Sequence, residues 1–194
     1  MVALPKVPAF MSVTEFLAWS VPGESRWQLA DGEPQMMAPA SRTHGAIQIE
    51  LGGLIRGHLM ERGGPCSVVS DPGIVPRVRA AHNVRVPDLA VTCSEYVTEE
   101  ATLEDPVVII EILSPSNKAE TWSNVWTYVT IPSVREILVV RSAEIGADLL
   151  RRLSDGSWPG EPARIGPDDT LALDCIGFTC PLRALYRTTR LAAR

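Results

Sequence analysis

The sequence predicts an α/β protein in which helices cover the faces of a central mixed β-sheet. Two observations favour this class. A long helical pattern precedes several segments rich in β-branched residues, and a second helical pattern lies between two such segments. Pro and Gly residues are spread evenly along the 194 residues, so we expect a single domain over 1–194.

Short elements are predicted near the N-terminus. Ser12 and Glu15 have the spacing of a capping box, which begins a short helix. The segment "RWQLADGEPQMMAP" predicts an extra N-terminal hairpin around Asp31-Gly32, because this dipeptide favours a tight turn with positive φ.

A long helix is predicted from Ser41 to about Arg62. Ser41 is a favourable N-cap residue, and the Gly63-Gly64 pair ends the pattern. Apolar residues recur at the spacing that one buried helix face requires, at Ile47, Leu51, Leu54, Ile55 and Leu59.

The remaining segments predict strands around a second helix. "CSVVS" and "PGIVPRV" are strand-like, "NVRVPDLAVTC" predicts another strand, and "PVVIIEIL" predicts a central one. "SPSNKAETWSNVWTYVTIP" predicts a helix that is capped near Ser116 and ends by Pro132. "VREILVVRS" and "ADLLRRLSDGSW" predict C-terminal strands, and the tail is predicted to be helical.

Composition and charge restrict the class of protein. No basic N-terminal region followed by a long apolar run occurs, and no stretch is long enough for a membrane span, so we expect a cytoplasmic protein without membrane contact. The net charge of −5 argues against a broad nucleic-acid surface, although Arg77, Arg79 and Arg85 could form a local basic groove. The cysteines form no C-x-x-C pair, so we expect four free thiols at Cys66, Cys93, Cys175 and Cys180.

One carboxylate lies inside an apolar run. Glu111 is the charged residue between Val107 and Leu113, and Asp88 similarly occupies an apolar face of the preceding strand. If these strands pair with Asp88 beside Glu111, the two anions repel each other unless a cation lies between them. Two carboxylates with carbonyl and water oxygens suit Mg²⁺. The same residues have simpler interpretations, because Glu111 can pair with an arginine and the Pro-Asp pair can shape a bulge.

Five segments resemble, in order and spacing, the bacterial Uma family of restriction-endonuclease-like proteins, within the PD-(D/E)xK nuclease superfamily. They are "DGE" at 31–33, "MAPASRTHGAIQIELGGLI" at 37–55, "RVPDLAV" at 85–91, "VVIIEILSPSN" at 107–117 and "TYVTIPSVREILVV" at 127–140. The resemblance covers about residues 12–185 and implies a restriction-endonuclease-like core over that range. It also implies that Asp88 and Glu111 are catalytic metal ligands.

The resemblance further implies a catalytic lysine on the next helix, in the pattern Asp-x-x-x-Lys-x-x-x-Tyr. Here Glu120 stands for the aspartate, Asn124 for the lysine, and Tyr128 is retained as a candidate substrate-binding residue. These positions share one helix face, but the cation is missing. Lys118 is near enough in sequence to compensate, and it could equally be an ordinary solvated lysine.

Two further residues match polar positions of the family. His44, at the start of the long helix, is a candidate for contacting phosphate or a metal-bound water, and Glu33 of the hairpin is a second candidate substrate-binding residue. Either could instead be a solvent-exposed polar side chain. Gln28 replaces a common glutamate of the family. Trp122 and Trp126 are expected in the helix–sheet core rather than stacked on bases.

These residues lead to two functional hypotheses. The first is an endonuclease that hydrolyses DNA phosphodiester bonds with Mg²⁺ or Mn²⁺, as a homodimer if both strands are cut. In it, Lys118 or Asn124 orients the attacking water or the scissile oxygen, and Glu120 positions that group. The second is a nuclease fold that has lost cleavage and serves as a nucleic-acid-binding or regulatory module, which Asn124 and Gln28 favour.

Overall fold

The computed structural model describes residues 7–19, 25–95 and 101–192. The α-helices in these ranges are α1 (Val13–Ala18), α2 (Arg42–Arg62) and α3 (Lys118–Tyr128). The strands are β1 (Trp27–Ala30), β2 (Glu33–Met36), β3 (Ser67–Ser70), β4 (Leu89–Thr92), β5 (Pro106–Leu113), β6 (Glu136–Arg141), β7 (Ala147–Arg151), β8 (Ala163–Ile165), β9 (Thr170–Leu173) and β10 (Phe178–Pro181). Of the helices described, none is both long and apolar enough to traverse a bilayer.

Six strands form the central sheet, in the order β3-β4-β5-β6-β7-β8. The pair β5–β6 is parallel and the other neighbouring pairs are antiparallel. Parallel neighbours need a crossover connection, and α3 supplies it between β5 and β6. The predicted fold class, a mixed sheet flanked by helices, is confirmed.

A different helix covers each face of the sheet, because side chains alternate along a strand. Ile110 of β5 belongs to the apolar cluster that includes Leu51 of α2. Its neighbour Ile109 belongs to a second cluster that includes Val125 of α3. Glu111 has the same parity as Ile109, so it lies on the α3 side of β5 in an otherwise apolar layer.

The predicted N-terminal elements are present. Asp31 and Gly32 have φ values of 51° and 91°, and they form the two-residue turn between the antiparallel strands β1 and β2. The Ser12 hydroxyl accepts a hydrogen bond from the Glu15 amide at 3.3 Å, and Glu15 accepts one from the Ser12 amide at 2.7 Å. The second and longer predicted helix is also confirmed, as α2.

The strand predictions beside the site were partly wrong. The segment "PGIVPRV" forms no strand and only an isolated bridge, from its Ile74 to Arg85. The strand that was predicted to begin at Asn83 begins at Leu89. Pro87 accounts for the late start, because proline has no N–H to donate to a sheet ladder. Asp88 therefore lies immediately before β4, where the chain enters the sheet.

One helical prediction also needs correction. The N-cap of α3 is Asn117, next to Ser116 and as near to it as predicted, whereas the predicted C-terminal helix is a short 3-10 segment at Leu182–Tyr186. Trp122 packs against the apolar cluster under α3, as predicted, but the Trp126 side chain is 49% exposed. The indole of Trp126 therefore faces solvent and does not fill the core.

The prediction of four free thiols was wrong for two of them. Cys66 and Cys93 form a disulfide, whereas Cys175 and Cys180 are free. The register of β3 and β4 pairs Ser67 with Thr92, so the next residue on each side brings the two cysteines together. They are separated by 27 residues and carry no local motif, so the pairing depends on strand register that the sequence alone did not give.

Candidate active site

Two buried carboxylates meet where β4 begins. The antiparallel register pairs Leu89 with Ile110, so the preceding position, Asp88, comes opposite Glu111. Asp88 is 9% exposed and Glu111 is 7% exposed. Pairing of the two strands, rather than closeness in sequence, therefore brings the acids together.

Two hydrogen bonds fix the carboxylate of Asp88. His44 Nε2 lies 2.7 Å from one of its oxygens, and the Ile112 amide donates to the other at 2.6 Å. The Ser41 hydroxyl accepts a hydrogen bond from the His44 amide at 3.2 Å, so the N-terminal cap of α2 places the histidine. Gln48, one turn along α2, donates to the backbone carbonyl of Asp88 at 2.8 Å. The start of α2 thus holds both the backbone and the side chain of Asp88.

Helix α3 supplies the partners of Glu111. The Tyr128 hydroxyl donates to Glu111 Oε1 at 2.8 Å, and the Asn124 side chain lies close enough to hydrogen-bond to the same carboxyl group. Asn124 and Tyr128 are four residues apart, so they project from one face of α3 toward β5. Tyr128 is fully buried, so its hydroxyl acts on Glu111.

Burial and the nearby Asp88 charge raise the pKa of Glu111 well above its ordinary value. The hydrogen bonds from Tyr128 and Asn124 act in the opposite direction, because they stabilise the ionised form. Burial and the neighbouring Glu111 likewise raise the pKa of Tyr128. Two buried acids without a cation between them therefore favour a proton on Glu111.

A cleft of about 450 Å³ lies on the same side of the sheet, between the β1–β2 hairpin and α3. It is lined by Ala30, Asp31, Glu33, Gln35, Arg85, Glu120, Ser123 and Asn124. Asn124 links the cleft to the buried acids, because it lines the cleft and also contacts Glu111.

The remaining predicted site residues occupy different positions. Glu120 is exposed and accepts a hydrogen bond from Gln28 Nε2 at 2.8 Å, and Glu33 is exposed on the hairpin; both line the cleft. Lys118 is exposed in the first turn of α3 and does not line the cleft. The structure therefore brings Glu120, Glu33 and Asn124 to one cavity and leaves Lys118 outside it.

Sequence reasoning underrated one cleft residue. Arg85 is 5% exposed and lines the cleft. The acids Asp31, Glu120 and Glu111 are close enough to interact with its charge. In the sequence, Arg85 is one of three clustered arginines, and nothing local indicates that it is buried. The signal that could have indicated a place in the site is its position three residues before Asp88, on the segment that leads through Pro87 into β4.

The side chains around Glu111 fit a hard divalent cation. The donors are two carboxylates and the Asn124 Oδ1 atom, which is buried and has no hydrogen-bond partner among the described residues. Each carboxylate oxygen that accepts one hydrogen bond keeps a second lone pair. Within the described ranges, no three His, Cys, Asp or Glu side chains gather as a ready metal cluster. An ion here would keep several waters, as Mg²⁺ does when one or two carboxylates hold it.

Comparison with known proteins identifies the family. Residues 13–183 match the family described as "Uma2: Putative restriction endonuclease". The chain belongs to the Uma2 family. This membership confirms the resemblance that the five sequence segments carry. No curated protein matches the sequence.

The fold of this Uma2 chain also occurs in a solved structure. It is described as the crystal structure of "a putative nuclease belonging to DUF820 from Anabaena variabilis". The TM-score is 0.74 at 16% identity, and the match covers 91% of this chain and 97% of that chain. Family membership indicates a nuclease, and the solved structure shows that the same fold occurs elsewhere.

Proposed function

We propose that this Uma2 chain is a metal-dependent endonuclease that hydrolyses DNA phosphodiester bonds, with Asp88 and Glu111 holding Mg²⁺ or Mn²⁺. The observation that carries the proposal is the pairing of two buried carboxylates in register, beside a cleft of about 450 Å³. Leaving two such anions uncompensated is costly, and a bound cation offsets their repulsion.

When bound, the metal ion polarises the phosphodiester and lowers the pKa of a water molecule. His44 and the Ile112 amide hold the Asp88 carboxylate in one orientation. Tyr128 and Asn124 hold Glu111, and both favour its ionised form, which is the form that binds a cation. His44 and Tyr128 thus act as positioning residues.

The cleft residues have roles at its opening. Asn124 lies between the buried acids and the cleft, so it is placed to orient the scissile phosphate or a water molecule. Glu120 is held by Gln28 at 2.8 Å and fixes the outer turn of α3 beside the hairpin residue Glu33. Because Lys118 is exposed and outside the lining, we assign it no part in the reaction.

A specific observation favours a second candidate function, a nuclease fold that binds nucleic acid or regulates without cutting. The lysine nearest to the site in sequence, Lys118, is not among the residues that line the cleft, and Asn124 has no charge with which to stabilise a phosphorane. Binding without hydrolysis would follow if no other cation serves the cleft.

The test is nicking of supercoiled plasmid by the purified chain. We expect conversion to open circles in Mg²⁺ or Mn²⁺ and none in EDTA, because the carboxylates alone cannot activate a water molecule at neutral pH. Single-stranded RNA is incubated with the chain in parallel, to compare cleavage of RNA with cleavage of DNA. DNA binding in Ca²⁺ with no nicking in any metal would favour the non-cutting module over the nuclease.

A further inference from the structure

Arg85 is a buried cation in the wall of the cleft. Its backbone is fixed by paired hydrogen bonds with Ile74, each 2.8 Å long, and its side chain is 5% exposed. A charged group so far from water normally has an ion-pair partner. Among the described residues, no ion pair or side-chain hydrogen bond joins Arg85 to another group; its Nε atom is buried without a partner, and its side chain lines the cleft.

The acids around Arg85 are engaged elsewhere. Asp31 pairs with Arg79 at 3.0 Å, Glu120 accepts from Gln28 at 2.8 Å, and Glu111 accepts from Tyr128 at 2.8 Å. Burial lowers the pKa of Arg85, and the nearby acids offset this only in part. The donors of the guanidinium are therefore left for a ligand in the cleft.

The unpartnered groups indicate the chemistry of that ligand. A guanidinium is a planar fork of donors that matches two oxygens of a phosphate. The lining acids Glu33 and Glu120 repel a bare anion, so a phosphate must be compensated by a cation in the wall. Arg85 is in that position, while Lys118 lies outside.

We propose that Arg85 binds the phosphate of the nucleic-acid substrate in this cleft and supplies the positive charge that α3 lacks. The inference deepens the proposed function and rests on it only for the identity of the substrate. Phosphate capture by Arg85 requires neither bond cleavage nor a bound metal, so binding can be measured apart from hydrolysis.

The experiment is calorimetric titration of the chain with thymidine 3′,5′-bisphosphate in EDTA. Arg85→Met is expected to weaken binding roughly 10- to 100-fold, because a charge-assisted hydrogen-bonded pair is lost. Arg79→Met is the matched control, since it removes an equal charge from an exposed arginine near the cleft. It should change the affinity by no more than about twofold, as expected for an exposed pair.

Two further variants keep the test decisive. Adding Asn124→Lys to Arg85→Met should restore most of the affinity, because position 124 lines the same cleft. A purely structural role for Arg85 would not be rescued in this way. If Arg85→Met does not fold, Arg85→Lys keeps the charge but loses the planar fork of donors, and it should still weaken binding.

Unchanged affinity of a folded Arg85→Met or Arg85→Lys variant, or no rescue of Arg85→Met by Asn124→Lys, would overturn the inference. Its failure is separable from failure of the proposed function. A chain that binds the bisphosphate through Arg85 but never nicks plasmid retains the phosphate site and loses the nuclease. A chain that nicks plasmid but binds the bisphosphate equally well without Arg85 is a nuclease in which Arg85 is not the phosphate site.

Discussion

Asp88→Asn is expected to reduce metal-dependent plasmid nicking by roughly 10³-fold or more, because a catalytic metal ion contributes several kcal/mol to the transition state. The substitution removes one of two charges that face the ion. The asparagine oxygen can still accept the hydrogen bond from the Ile112 amide, which is 2.6 Å long in the wild type. The fold should therefore survive, and the loss should come from the site.

The control for this variant is Asp168→Asn. Asp168 is a surface aspartate, 86% exposed, in an ion pair with Arg183. It makes the same change of charge far from the acids, and its nicking rate should match that of the wild type. Equal nicking by Asp88→Asn and the wild type would eliminate the proposed site.

Glu111→Gln should abolish nicking and, in EDTA, stabilise the folded chain at neutral pH. The folded-state pKa of Glu111 is raised above the ordinary value of 4.5. Between those two pKa values the folded chain binds the proton more tightly than the unfolded chain does, so the free energy of unfolding falls as pH rises. Glutamine keeps the acceptor for the Tyr128 hydroxyl and removes the buried charge.

Thermal unfolding in EDTA across the acidic to neutral range measures this effect. Each kcal/mol gained by Glu111→Gln should raise Tm by about 2–4 °C for a chain of this size. The gain should vanish below the ordinary pKa, where the wild-type carboxyl is protonated in both states. Glu144→Gln, an exposed control whose side chain is 67% accessible, should show no such trend. A Glu111→Gln variant less stable than the wild type at neutral pH would mean that another residue already neutralises Glu111.

The sheet strands and α2 could be predicted because their patterns are periodic. Apart from Glu111, the run Val107 to Leu113 is apolar on both faces, as a central strand requires, and Ser41 and Gly63 mark the ends of α2. The sequence could predict that Asp88 and Glu111 meet if their two strands pair in the right register, because strand alternation places each acid on an apolar face. The observed register of β4 and β5 meets that condition.

Other features depended on three-dimensional neighbours that no local pattern encodes. Cys66 and Cys93 become adjacent through the register of β3 and β4. Arg85 is buried in the wall of the cleft between the hairpin and α3, although its sequence context is a cluster of arginines typical of a surface. Lys118 could be placed on α3 from the sequence, but its orientation depends on how that helix packs.

The most direct test of the paired-acid site is anomalous diffraction from crystals grown with Mn²⁺. We predict a single strong peak bonded to one carboxylate oxygen of Asp88 and one of Glu111, at about 2.1 Å from each. Absence of a peak between these residues at saturating Mn²⁺, with Asp88 still held by His44 and Glu111 by Tyr128, would contradict the account.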